Sequence, residues 1–152
     1  MDKVLKTWVV GHKVSKQNTS GDYDLVFGET EAGVPGPPPH FHKGYHESFV
    51  ITDGEMDFII NGELRTVRQG ESVDLPPNTT HTFKNSGDRT CKWVNVHSPK
   101  GFGAFFDKYG ISEEEADAKS RSVSPEIIQD LLESAAGFDM HIVAEKKAAG
   151  VK

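Results

Sequence analysis

The chain has 152 residues, a length typical of one domain with a single hydrophobic core. Hydrophobic residues make up 36% of it and charged residues 26%, a balance typical of a globular protein. The formal net charge is −6 and the longest basic run is the pair Lys146 and Lys147, which excludes the concentrated positive surface that nucleic acids require. No stretch of about 18 apolar residues occurs, and the N-terminus lacks the apolar centre of a signal peptide. We therefore expect a cytoplasmic protein without a nucleic-acid or membrane partner.

The first hundred residues are predicted to be β structure. Eight segments have strand length, and several alternate apolar with polar residues: residues 7–10, 23–29, 47–52, 55–60, 63–68, 72–75, 81–85 and 90–96. Asp53-Gly54 and Asn61-Gly62 each separate two such segments, and these pairs tolerate the positive φ of tight hairpin turns. Because no crossover helix fits between the segments, the sheet must be antiparallel. An all-β sandwich or barrel over residues 1–100 follows.

Residues 101–152 are predicted to form a short helical extension that packs on the barrel within the same domain. Residues 103–109 have the pattern of a short helix and residues 124–136 that of a longer one, with Ser124 as the cap and Pro125 at the first helical position. Residues 112–122 are polar and acidic, which predicts a surface loop or a short exposed helix. The last eight residues are expected to be a mobile tail.

Two histidines two positions apart are the strongest chemical signal in the chain. In an extended segment, His40 and His42 point to the same face, and the turn before Glu47 can return its carboxylate to the same point. His81 opens a later strand and is a fourth candidate. Imidazole nitrogen and carboxylate oxygen suit one divalent ion, with Fe, Ni, Mn or Co favoured and Zn possible. We expect these four residues to bind that ion.

These residues resemble the two signature motifs of the cupin superfamily. The first motif requires His-x-His, then Glu, then Gly, and is matched by His40, His42, Glu47 and Gly54. The second requires Gly, Pro, His and Asn at fixed spacing, and is matched by Gly70, Pro76, His81 and Asn85. Two positions depart from the pattern, since Val34 and Asn78 stand where the family has glycine; asparagine enters the left-handed region more readily than most residues. The resemblance covers residues 33–98 and implies an antiparallel jelly-roll-like cupin β-barrel with the metal inside.

Alternation along the strands predicts which side chains share the interior with the metal. Phe49 and Ile51 have the parity of Glu47, Met56 and Phe58 follow on the next strand, and Phe83 has the parity of His81. His97 can reach the pocket mouth from the last long strand. Phe102 and Phe106 can close the pocket from the extension. The predicted substrate pocket comprises these residues: Phe49, Ile51, Met56, Phe58, Phe83, His97, Phe102 and Phe106.

The extension is similar to that of quercetinase-like single-domain cupins. This resemblance implies a metal-dependent oxidoreductase, specifically a dioxygenase, with O2 and a small aromatic or enolisable substrate such as a flavonol, catechol or dicarbonyl. Glu47 would act there as a metal ligand or as the catalytic base. Two alternatives remain open: a metal-dependent isomerase, cyclase or lyase, and a non-catalytic cupin that binds a small molecule.

Val50, Ile59, Val94 and Val96 are predicted to face outward and to form an apolar sheet surface. Such a surface can pair two subunits into a homodimer, as the resemblance also implies. Equally, the C-terminal helix can cover it.

Overall fold

The computed structural model describes residues 4–143, in which two antiparallel sheets carry a short helical segment. The strands are β1 (Thr7–Val9), β2 (His12–Gln17), β3 (Asp24–Thr30), β4 (His40–Phe41), β5 (His46–Asp53), β6 (Glu55–Ile60), β7 (Glu63–Arg68), β8 (Ser72–Leu75), β9 (His81–Lys84), β10 (Cys91–Ser98), β11 (Ile111–Ser112) and β12 (His141–Ile142). The helices are α1 (Gly103–Tyr109), α2 (Ala118–Arg121) and α3 (Pro125–Ser134), and α3 runs into a 3₁₀ turn (Ala135–Phe138). The predicted all-β class is confirmed.

The strands form a seven-stranded sheet and a five-stranded sheet. The first has the order β11-β1-β2-β3-β10-β5-β8 and the second the order β12-β4-β9-β6-β7, and neighbouring strands within residues 4–143 run antiparallel. Two facing sheets of this kind form a jelly roll. Over residues 4–143 no strand pairing joins the sheets, so the predicted barrel is a two-sheet sandwich rather than a closed cylinder.

The core lies between the two sheets, where the inward side chains of facing strands meet. The ring centroid of Phe49 lies 5.2 Å from that of Phe58 and 5.4 Å from that of Phe83. It lies 5.5 Å from that of Trp93. Such ring pairs stabilise the core beyond the area they bury. The core therefore fixes the relative position of β5, β6, β9 and β10, which border the site described below.

The turns adopt the backbone angles that their residues predict. Asn61 and Gly62 have φ of 49° and 85° between β6 and β7, as a tight hairpin requires. Asn78 has φ of 66°, so asparagine takes the left-handed conformation where the family has glycine. Two strands of the first hundred residues were missed: β2, whose polar residues hide its alternation, and β4, which has only two residues after a run of prolines. The short helix α2 lies within the predicted surface segment.

The extension contributes strands as well as helices. Helices α1 and α3 coincide with the two predicted helices, and the Ser124 hydroxyl caps α3 by accepting the Ile127 N–H. Strand β11 pairs with β1, and β12 pairs with β4, so the extension adds one edge strand to each sheet. None of the helices within residues 4–143 is long and apolar enough to cross a membrane. The last eight residues lie outside the described part of the chain.

The predicted apolar outer face is divided between the two sheets. In the seven-stranded sheet, Val94 lies between Phe27 on one neighbouring strand and Val50 on the other. Phe27 is exposed, and Val50 is 39% exposed. Ile59 lies on the five-stranded sheet, so its assignment to the same face was wrong. Helix α3 lines the interior cavity instead of covering this outer face. Pairing of two copies through Val50, Val94 and Val96 stays a prediction.

Candidate metal centre

A cavity of about 330 Å³ opens between the sheets, beside β1, β5, β9 and β10. Its lining is overwhelmingly apolar, and α3 contributes Ile128, Leu131 and Leu132 to it. The polar side chains of the lining are few: His12, His40, His42, Glu47, His81, Asn95 and His97. An apolar cavity with a few convergent polar groups is the usual form of a small-molecule site.

Strand pairing brings the polar side chains together from both sheets. His40 of β4 lies opposite His81 of β9 in the five-stranded sheet, and their ring centroids are 4.3 Å apart. Glu47 of β5 lies opposite His97 of β10 in the seven-stranded sheet. His42 follows β4 and lies between the two pairs, with its ring centroid 5.6 Å from that of His81 and 5.3 Å from that of His97. The site is thus built from two cross-strand pairs on facing sheets.

Four of these residues form a group with the dimensions of a metal site. Each of His40, His42, Glu47 and His81 offers one ligand atom, and the four atoms all lie within 4.8 Å of one another. All four side chains are buried. Three imidazoles and a carboxylate can therefore hold a divalent metal ion, and they are the donor types that borderline transition metals prefer.

Hydrogen bonds fix the tautomer of all three imidazoles. The Nδ1 atoms of His40, His42 and His81 lie 2.9, 2.7 and 2.9 Å from the carbonyl oxygens of Pro38, Asp139 and Thr79. A carbonyl only accepts, so each neutral ring must donate from Nδ1 and keep its lone pair on Nε2. Partners of this kind are characteristic of histidines that bind a metal.

The atoms that face each other across the group lack hydrogen-bond partners. His81 Nε2 lies 2.9 Å and His42 Nε2 lies 3.3 Å from Glu47 Oε1, yet none of these three atoms makes a hydrogen bond with proper geometry. Lone pairs on nitrogen and oxygen repel at such distances unless a cation or a proton lies between them. The arrangement fits a bound cation, which all four residues can ligate.

Asn95 and His97 contact the second oxygen of Glu47. Asn95 Nδ2 donates to Glu47 Oε2 at 2.8 Å, and His97 Nε2 lies 3.1 Å from the same atom. Burial raises the pKa of Glu47, but the charge of His97 and the close contacts from His42, His81 and His97 lower it more, so its pKa lies well below the ordinary value. Glu47 is therefore held as a carboxylate.

The histidines of the five-stranded sheet differ from each other in proton affinity. Burial and the neighbouring His81 lower the pKa of His40 to about 3, although Glu47 and the Pro38 carbonyl raise it in part. Burial also lowers the pKa of His81, but the contact and charge of Glu47 outweigh this effect and raise it above the ordinary value. His40 is thus a neutral donor over the physiological range, as metal binding requires.

The structure places five of the predicted pocket residues at the cavity and three elsewhere. Those that line it are Phe49, Phe83, His97, Phe102 and Phe106. Ile51, Met56 and Phe58 belong to the fully buried core and do not line it, because they lie farther along their strands from the ligand end. Parity gives the face of a strand that a side chain occupies, but not its depth in the sandwich.

Sequence reasoning missed several residues of the site. Asn95 has the same parity as His97 and could have been found from alternation along β10. His12 lines the cavity wall and bonds to Thr30 through Nδ1 at 2.9 Å, but no nearby sequence partner signalled this. Asp139, whose carbonyl accepts from His42, lies 97 positions away in the extension.

Comparison with known proteins agrees with this geometry. Residues 27–97 match the model of the family described as "Cupin domain". The chain is 35% identical over 63 residues to the HTH-type transcriptional regulator SutR of Escherichia coli K12, with 41% of this chain and 35% of that protein covered. It is 30% identical over 96 residues to quercetin 2,3-dioxygenase of Bacillus subtilis 168, with 63% of this chain and 28% of that protein covered. The chain thus spans about a third of the length of these two relatives.

A solved structure of an RmlC-like cupin from Shewanella frigidimarina shares the fold. Its TM-score is 0.57 at 15% identity, over 64% of this chain and 85% of that one. At this identity the likeness concerns the fold alone. The matched family model, the jelly roll and the two signature motifs agree, and residues 27–97 of the chain form a cupin domain.

Proposed function

We propose that this chain is a metal-dependent oxidoreductase, a dioxygenase that acts on a small, uncharged aromatic or enolisable substrate. The observation that carries the proposal is the position of the His40, His42, Glu47 and His81 group on the wall of an apolar cavity of about 330 Å³. A buried polar group in such a cavity can act on a ligand that is otherwise removed from water.

The proposed metal ligands are His40, His42, Glu47 and His81, and the metal is Fe, Ni, Mn or Co. When bound, this ion supplies a Lewis acid that polarises a substrate oxygen and a template that brings O2 beside it. Phe49, Phe83, Phe102 and Phe106 supply flat apolar contacts for a substrate ring and exclude water.

Glu47 is the proposed catalytic base. Its pKa is low, so the group is a carboxylate at neutral pH, and it can accept the proton of a substrate hydroxyl whose own pKa a bound metal would lower. Its second oxygen, Oε2, lies 3.1 Å from His97 Nε2, on the side away from the ligand histidines. Asn95 holds the same oxygen in place by donating a hydrogen bond to it.

The charge of the lining limits the substrate class. Among the described residues that line the cavity, none is Lys, Arg or Asp, and Glu47 is the single carboxylate. A phosphate or carboxylate group placed in this cavity away from the metal would lose its hydration without gaining a cationic side chain, which is costly. A neutral phenol or enol avoids this cost and still presents an oxygen to the metal.

The 30% identity to quercetin 2,3-dioxygenase supports the oxygenase assignment over 63% of the chain. The same catalytic apparatus also suits an isomerase, cyclase or lyase that needs no O2. The match to SutR, a transcriptional regulator, adds a cupin that binds a small molecule without turnover as a further alternative.

The decisive experiment combines metal analysis with an oxygen electrode. Protein purified without added ions is analysed for bound metal, then screened with flavonols, catechols and β-diketones. Substrate-dependent O2 uptake, abolished by Glu47→Gln and kept by His46→Ala at the neighbouring exposed position, supports the proposal. Turnover without O2 uptake would transfer the chain to the isomerase and lyase class, and saturable binding without turnover would make it a binding protein.

A further inference from the structure

The three ligand histidines differ in what orients them. His40 and His81 each bond through Nδ1 to a carbonyl two residues earlier in the chain, Pro38 and Thr79, at 2.9 Å. His42 bonds at 2.7 Å to the carbonyl of Asp139, which is 97 positions later. Two ligands are thus oriented by the residues just before their own strands, whereas the third depends on the C-terminal extension, outside the matched residues 27–97.

Asp139 is held so that its backbone and its side chain act on the same loop. Its φ of 59° lies in the left-handed region, which Asp tolerates better than most residues, and this conformation ends the 3₁₀ turn that follows α3. The carboxylate accepts the Lys43 N–H at 2.9 Å and the Gly44 N–H at 2.8 Å. Residues 42–44 therefore make three hydrogen bonds in succession to one aspartate.

The segment that carries Asp139 is anchored beside the ligand strand. Strand β12 pairs with β4, with His141 opposite Phe41 and Ile142 opposite His40. The His141 ring stacks on Phe41 at 5.2 Å, and His141 Nε2 lies 2.8 Å from Asp139 Oδ1. Because β4 has only two residues, β12 supplies much of the pairing that fixes its position.

We propose that Asp139 is a positioning residue of the metal centre: its carboxylate fixes residues 42–44 to the extension, and its carbonyl thereby fixes His42 with Nε2 toward the other ligands. The inference rests on the metal-binding role of the proposed function. It does not depend on O2 or on the substrate. Because the contact joins two groups of the protein itself, it can be tested without loading the site.

The test compares Asp139→Gly and Asp139→Asn with the wild type. Glycine keeps the carbonyl and the left-handed backbone but removes the carboxylate, and asparagine keeps one of the two acceptor oxygens. Nitrogen NMR of the metal-free protein at about pH 8.5, two units above an ordinary histidine pKa, reports the tautomer of each ring. In Asp139→Gly we expect His42 to populate both neutral tautomers. His40 and His81 should keep the single tautomer that carries the proton on Nδ1.

Competition of Co²⁺ with a chelator supplies the second measurement. Loss of a group that orients a ligand typically costs 10–100-fold in metal affinity. We therefore expect about that loss for Asp139→Gly and a smaller one for Asp139→Asn. The matched control is Asp130→Asn, which removes a carboxylate of the same extension that bonds to Tyr109 and Lys108 and should change neither measurement.

Three outcomes would overturn the proposal. The first is that Asp139→Gly keeps the His42 tautomer and keeps Co²⁺ affinity within about twofold. The second is that all three rings change together, which would indicate a general loosening. The third is that the Asp130→Asn control reproduces the effect, which would assign it to the stability of the extension. If wild type binds no Co²⁺ yet Asp139→Gly still alters His42 alone, the proposed metal function fails while the positioning contact stands.

Discussion

The barrel and the C-terminal extension contribute to the candidate site in different ways. The barrel supplies all four proposed ligands: three lie on strands, in cross-strand pairs such as His40 with His81 and Glu47 with His97, and His42 directly follows β4. The described part of the extension, up to residue 143, supplies no ligand, but α3 lines the cavity and Asp139 contacts His42. The barrel thus carries the group that could hold a metal, and the extension lines the cavity beside it.

Because the barrel carries the proposed ligands, the largest effect is expected when one of them is substituted, and the quantity affected is metal affinity. Glu47→Gln keeps the shape of the side chain but removes the charge opposite three imidazoles. We expect Co²⁺ affinity to fall by more than about 100-fold, beyond the range for an orienting residue. Chelator competition measures this loss, with Glu55→Gln at the exposed start of β6 as the control. An affinity close to wild type would remove Glu47 from the ligand set.

The second prediction concerns the pH dependence of the barrel. Burial lowers the pKa of His12 to about 4, although the Pro35 carbonyl raises it in part. The folded pKa of His12 lies below the unfolded value of about 6.5, so the unfolded chain binds the proton more tightly. The free energy of unfolding is therefore at its full value above about pH 6.5 with respect to this group, and it falls as the pH falls toward about 4. The difference between the folded and the unfolded pKa of His12 corresponds to at most about 3 kcal/mol of the free energy of unfolding.

Urea denaturation of metal-free wild type and His12→Phe at several pH values measures this contribution. The difference between them isolates His12 from His40, which is also buried and whose pKa is lowered to about 3. A parallel pH dependence in both proteins would show that His12 is not the group responsible.

The third prediction concerns α3. Leu131 is buried and lines the cavity, so Leu131→Ala is expected to lower the free energy of unfolding by about 2–3 kcal/mol. Leu132 is 48% exposed, and Leu132→Ala is expected to cost less than about 1 kcal/mol. Equal costs in urea denaturation would mean that α3 does not pack on the barrel as the structure shows.

Sequence patterns predicted the barrel half of the site better than the extension half. The i, i+2 spacing of His40 and His42 and the motif spacing to Glu47 and His81 identify all four members of the group, because alternation along a strand is a local property. Asp139 meets His42 through a turn and a two-residue strand, and no local pattern encodes that contact. The depth of Ile51, Met56 and Phe58 was likewise hidden, since it depends on how the sheets stack.

The smallest expected loss of stability comes from a substitution at the junction of the barrel and the C-terminal extension. The Asp24 carboxylate accepts the backbone N–H groups of Gly101 and Gly103, at 2.7 and 3.0 Å, and so fixes the start of the extension to β3. Burial raises the pKa of Asp24, but these two hydrogen bonds, with Lys100 and Lys16, lower it to a net value below the ordinary one. We expect Asp24→Asn to cost about 1–2 kcal/mol at neutral pH.

The pH dependence separates this junction from the barrel. Because the folded pKa of Asp24 is depressed, its stabilisation is complete above the ordinary aspartate pKa of about 3.9 and is lost as the pH falls through the folded value. The His12 contribution is lost at higher pH, between about 6.5 and 4. The wild-type advantage over Asp24→Asn in urea denaturation should therefore persist at pH 5 and shrink only below about pH 4. An advantage that vanished already at pH 5 would mean that the carboxylate does not hold the extension to the barrel.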